Sequence, residues 1–114
     1  MPHFVIDCSA SILEAHTEEH IIEQVHIVAN TTKLFDENDI KVRLHPYEKY
    51  LVGNKREDFI HVFAYVLEGR TIVQKAELSK TIVSKLTEMF PQILNIAISV
   101  SDFEKATYCN RNML

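Results

Sequence analysis

Glycine and proline are scarce in this 114-residue chain, which holds two of the first and three of the second. That leaves no interdomain linker and no low-complexity segment. Cysteine occurs only at Cys8 and Cys109. Two thiols so far apart build no disulfide framework and are ordinary for a reduced cytosolic protein. No run approaches the roughly 20 apolar residues of a membrane span. The start of the chain lacks the basic segment and small-residue cleavage site of a secretory signal. A cytoplasmic protein with no membrane partner is therefore expected. The formal net charge is −4 with no basic block, which argues against nucleic acid as a partner. Hydrophobic residues make up 46% of the chain, enough for the core of one domain spanning residues 1–114.

What is present reads as one unit used twice, over about 2–50 and 58–101. His3 to Ser9 is short, apolar and β-branched, as a buried strand should be. From Thr17 the pattern turns helical, with Ile21, Ile22, Val25, Val28 and Ala29 on one stripe. Thr17 is a suitable N-cap, and Glu18 and Glu19 suit the positive first turn. Asp39 to Tyr47 alternates: Ile40, Val42 and Leu44 face one way, Lys41, Arg43 and His45 the other. Pro46 and the pair Gly53-Asn54 mark loop or turn positions. Phe59 to Leu67 then begins the second unit as a nearly continuous apolar strand, a pattern consistent with burial on both faces. Thr71 and Gln74 form a capping-box pattern at the next helix start. Ile72, Ala76, Val83, Leu86 and Phe90 supply its core stripe, and Pro91 ends it. Ile93 to Val100 is the last strand.

The expected fold is α+β: two tandem β-α-β units in a four-stranded sheet with both helices on one face, as right-handed crossovers require. Two architectures share that order. One is the ferredoxin-like sandwich of small ligand-binding modules. The other relates two β-α-β units by a pseudo-twofold axis and buries the remaining sheet face by oligomerisation. Periodicity does not choose between them.

Pro2 is the residue with the most distinctive chemistry. Removal of Met1, usual before proline, would expose a secondary amine at the head of an apolar strand. An α-amino group titrates near pH ~8, and burial lowers that value towards the range of an efficient general base. The pyrrolidine ring also fixes the nitrogen's geometry. While Met1 remains attached, the same nitrogen is an amide without basicity.

Leu67-Glu68-Gly69-Arg70-Thr71-Ile72-Val73-Gln74-Lys75 resembles the strand-to-helix junction of the tautomerase superfamily, whose short members carry an L-E-G-R-[ST]-x-x-Q-K run. Pro2 to Ser9, Asp39 to His45 and Tyr108 to Asn112 resemble one branch, the 5-carboxymethyl-2-hydroxymuconate isomerases. The similarity runs over nearly the whole chain. It implies a homotrimeric isomerase, in the breakdown of aromatic compounds, that works without metal or organic cofactor on a small carboxylate substrate. By the same resemblance Pro2 is the proton shuttle and Arg70 the second catalytic residue, at a helix start whose dipole adds to anion affinity. A guanidinium grips a carboxylate with two parallel bonds or stabilises charge on an enolate oxygen. Arg43 and Lys41, two residues apart on one strand face, are the candidates for holding the substrate's far carboxylate. Lys41 stands where the resemblance places an arginine, and lysine keeps the charge but loses the fork.

Competing sites are weaker. His16 and His20 lie four apart near Glu19 and Glu23, but the run lacks the glutamate that directly follows the first histidine in zinc proteases, so no metal site is assigned. Cys8 lies in an apolar strand, which raises a thiol's pKa and suits a core residue rather than a nucleophile. The alternative function is a non-catalytic ferredoxin-like module that binds a small acid or a protein.

Overall fold

The computed structural model describes residues 1–114. Strand β1 (His3–Ser9) leads through a 3-10 turn at Ala10–Glu14 into helix α1 (Glu18–Thr31) and strand β2 (Lys41–Tyr47). Strand β3 (Phe59–Leu67), helix α2 (Ile72–Met89) and strand β4 (Asn95–Phe103) repeat the order, followed by two short 3-10 turns. The sheet order is β2-β1-β3-β4. β1 pairs parallel to β2 and antiparallel to β3, which pairs parallel to β4. Each crossover therefore joins neighbouring strands, whereas the ferredoxin-like fold splits its β-α-β units with an inserted strand. The ferredoxin-like architecture is excluded.

Both helices pack on one sheet face. Phe4, Ile6 and Cys8 of β1 and Ile60, Val62, Ala64 and Val66 of β3 are buried there against Ile21, Val25 and Ala29 of α1 and Leu78, Ile82 and Leu86 of α2. The two helix starts follow the sequence pattern. The Thr17 hydroxyl accepts from the His20 amide at 3.2 Å. Thr71 and Gln74 form the reciprocal capping box at 3.1 and 2.9 Å.

Four details differ from expectation. In α2 the buried row runs in steps of four from Leu78 through Ile82 and Leu86 to Phe90. Ile72, 81% exposed, and Ala76 lie off that row, in the exposed first turns of the helix. Pro46 lies within β2 rather than in a loop; β2 is an edge strand, where a missing N–H costs no ladder bond. β4 begins at Asn95 and continues to Phe103, because Asp102 and Phe103 pair with Val66 and Leu67 despite a polar sequence. β3 is buried on one face only in this protomer: Tyr65 is 41% exposed, and Phe59, His61 and Phe63 are half-buried.

The glycines do specific work. Gly53 and Asn54 both have positive φ (55° and 63°) and close a two-residue hairpin between Val52 and Lys55. Gly69 has φ 123° at the β3–α2 junction, a conformation that a side chain would strain. No helix is long and apolar enough to cross a membrane.

Candidate active site

Residue parity along β1 sends Pro2 to the helix side, with Phe4 and Ile6, and its ring is fully buried. Its carbonyl accepts from the Lys41 amide at 3.1 Å, which fixes the head of β1 beside the head of β2. With Met1 in place, the α-amine at this end lies 3.9 Å from an Asp39 carboxylate oxygen. The amine's pKa is below the ordinary α-amino value. Burial is the main cause; Lys41 and Arg70 also lower it, against the opposing pull of Asp39 and Asp36. The amine at the start of the chain, Lys41 and Arg70 thus share one electrostatic neighbourhood.

Arg43 acts one row along. Its Nη1 lies 3.1 Å from His3 Nδ1, on the sheet face not covered by helices. Burial lowers the His3 pKa, and the charges of Arg43 and Lys41 lower it further. A guanidinium only donates, so Nδ1 accepts and the imidazole is neutral with its proton on Nε2. Lys41 Nζ donates to the Asp39 carbonyl at 3.1 Å, which holds the ammonium at the start of β2.

Arg70 is more constrained than the sequence implies. Nη1 donates to the Leu67 carbonyl at 3.1 Å and Nη2 to the Leu34 carbonyl at 2.8 Å. The guanidinium carbon sits 4.8 Å from the centre of the Phe35 ring. The rest of the L-E-G-R run is also engaged. Glu68 accepts from the Lys105 amide at 2.7 Å, and its own amide donates to the Phe103 carbonyl. Lys75 pairs with Asp102 at 3.0 Å. Much of this motif therefore builds the junction that presents Arg70. Leu34, Phe35, Asp36 and Asp39, all between α1 and β2, adjoin this cluster, and sequence reasoning named none of them as candidates for it.

A cavity of about 340 Å³ lined by Tyr50, Phe59, His61 and Leu94 lies at the starts of β3 and β4 and shares no residue with this cluster. A groove of about 520 Å³ between α1 and α2 includes Leu34 and so borders the Arg70 cradle. His16 Nε2 lies 3.0 Å from the Met89 carbonyl, and the His16 ring meets Phe90 edge-on, so this histidine ties the α1 start to the end of α2. Burial pushes the Cys8 thiol up to about 12, with smaller contributions from Glu18 and Asp7. It is a core residue, as its apolar strand implies.

A two-helix, four-stranded protomer of this topology, with a buried proline at its head and cations around it, has the fold of the tautomerase superfamily. The chain belongs to the 5-carboxymethyl-2-hydroxymuconate isomerase family, whose model matches residues 2–113. No curated protein matches it in sequence. Among solved structures, Pt0534 inactivated by 2-oxo-3-pentynoate superposes with a TM-score of 0.83 at 18% identity, covering 98% of this chain and 94% of that one. A 5-carboxymethyl-2-hydroxymuconate isomerase from Deinococcus radiodurans R1 gives 0.79 at 18% identity, with coverage of 96% and 88%. A fused 4-OT described as a symmetric trimer gives 0.81 at 16% identity, with coverage of 98% and 96%. These likenesses establish the fold, and family membership supports an isomerase of the tautomerase type.

Proposed function

We propose that this protein is a cofactor-independent tautomerase that moves a proton between oxygen and carbon on a 2-hydroxymuconate-type di- or tricarboxylate. Pro2, freed of Met1, is the base and then the acid. The neutral secondary amine takes the proton from the 2-hydroxyl, electrons shift along the diene, and the resulting ammonium returns the proton to carbon. Net charge and atoms are conserved, and no redox partner is needed. Arg70 stabilises the negative charge on the dienolate oxygen, and Lys41 and Arg43 hold a remote carboxylate.

The observation that carries this reading is the position of Pro2, fully buried at the head of β1 and bonded through its carbonyl to the Lys41 amide. The adjoining Met1 amine has its pKa lowered there, mainly by burial, and the Pro2 nitrogen freed of Met1 would meet similar surroundings, which favour a free base. The cations Lys41 and Arg70 suit an anionic substrate. The working form is a homotrimer. In its support, the uncovered sheet face carries Val5, Phe63 and Leu67, half-buried apolar residues that a second copy would cover.

The test is a ketonisation assay on 2-hydroxymuconates bearing two or three carboxylates. Turnover is expected on at least one, with Lys41→Arg improving kcat/KM for the tricarboxylate by restoring the fork. Sedimentation should report close to three times 13.2 kDa. No turnover on any of the panel by trimeric, Met1-free protein would overturn the reading.

A further inference from the structure

The segment between α1 and β2 does more for Arg70 than close a loop. Its Leu34 carbonyl takes one guanidinium N–H at 2.8 Å, and the next residue, Phe35, places its ring under the guanidinium at 4.8 Å. Phe35 is itself held. It meets Phe4 edge-on, with centroids 6.0 Å apart and planes at 75°. Phe4 is fully buried in β1, two residues after Pro2. The contacts thus run from the strand that carries the proposed base, through one aromatic ring, to the proposed cation.

Donor counting sharpens the consequence. A guanidinium has five N–H donors in one plane. The Leu67 and Leu34 carbonyls take one from each Nη. Three remain, and the guanidinium carbon lies over the Phe35 ring. With one N–H of each Nη held and the Phe35 ring 4.8 Å from its carbon, the guanidinium has little freedom to turn.

We infer that Phe35 is a positioning residue for the proposed isomerisation, fixing the plane and reach of Arg70 relative to Pro2 through its contact with Phe4. This rests on the function proposed above. It predicts that the shape of the Phe35 face matters to the chemical step, and not merely its hydrophobicity.

Phe35→Leu keeps an apolar side chain but removes the flat face, and Phe35→Tyr keeps the face. In the Met1-free trimer acting on a 2-hydroxymuconate, Phe35→Leu should lower kcat by about 10- to 100-fold, as small misplacements of catalytic groups do, with KM changed less than threefold. The acidic limb of the pH–rate profile, set by protonation of Pro2, should move to higher pH, because a displaced Arg70 no longer disfavours the ammonium form. Phe35→Tyr should recover both. A folded Phe35→Leu protein with the original kcat and limb would overturn the inference, as would equal loss in both variants. Should Phe35→Leu fail to fold, nuclear magnetic resonance on the unmodified protein decides: the Arg70 side-chain N–H signal should be ring-current shifted, and a random-coil position refutes the stacking. Loss of activity in Pro2→Ala and Arg70→Ala tests the proposed function separately. If those variants are inactive and Phe35→Leu is not, only the role of Phe35 falls.

Discussion

Arg70→Ala should damage stability and catalysis by separable amounts. The side chain donates at 3.1 Å to Leu67 and at 2.8 Å to Leu34, both partly buried contacts. Charged hydrogen bonds contribute about 1.5–3 kcal/mol each when shielded. Partial exposure of the guanidinium reduces that to roughly 1 kcal/mol apiece. Stacking on Phe35 adds about 0.5–1 kcal/mol. Removal should therefore cost roughly 2–3 kcal/mol, or a Tm lower by about 8–12 °C in a domain of this size. Most of the molecules remain folded at 25 °C, since typical domains hold 5–15 kcal/mol in reserve, roughly speaking. Any loss of kcat there is catalytic. If Arg70 acts on developing enolate charge, that loss should be about 10²–10³-fold. Thermal unfolding by circular dichroism and steady-state kinetics on one preparation give both values. Arg70→Lys should recover part of the stability, through one carbonyl, and little of the rate. A Tm within 2 °C or so of the parent would refute the cradle, given the scale above. An unchanged kcat with lowered Tm would make Arg70 a structural residue only.

Three further outcomes follow from the geometry. Iodoacetamide at pH 8 should label Cys109 in the folded protein and leave Cys8 untouched until denaturant is added, because Cys109 is exposed and Cys8 is buried with its thiol pushed up to about 12; rapid labelling at Cys8, read by peptide mass, contradicts its place in the core. Because the His3 pKa is lowered in the fold, the unfolded chain binds the proton more readily. The contribution of His3 is thus fully present above its ordinary value near 6.5 and is lost as pH falls through the lower folded value; Arg43→Ala should move the His3 titration upward by nuclear magnetic resonance, and no movement would rule out their contact. Ile82→Ala, in the buried row, should cost about 2–5 kcal/mol in urea denaturation, while Ile72→Ala on the exposed first turn should stay within about 0.5 kcal/mol; equal costs would mean the α2 face is assigned wrongly.

Much of the fold was legible because it is written locally. The β-branched runs of β1 and β3, the alternation of Lys41, Val42, Arg43 and Leu44, and the caps at Thr17 and Thr71 each act over four to nine residues. Errors arose where distant partners decide. The polar end of β4 is strand only because β3 offers a ladder as far as Leu67. The β2 start shifts to Lys41 because Asp36 caps a 3-10 turn at Glu37–Asp39. The apolar residues of α2 start at Ile72, yet burial starts only at Leu78, where packing against the sheet decides it. The candidate cations Arg70, Arg43 and Lys41 were visible as residue types in matched segments. Their partners were not: Leu34 and Phe35 lie more than thirty residues before Arg70, and neither a backbone carbonyl nor a loop phenylalanine leaves a periodic signal.

The most direct measurement concerns the nitrogen of Pro2. Protein separated by intact mass into Met1-free and Met1-bearing forms should be assayed side by side for ketonisation of a 2-hydroxymuconate, with the pH–rate profile of the active form. If Pro2 is the base, only the Met1-free form turns over, the acidic limb of its profile lies below the pH ~8 of an exposed amine, and Pro2→Ala loses most of the rate although a primary amine remains. Full activity in the form that retains Met1, where Pro2 is an amide, would contradict the proposed chemistry outright.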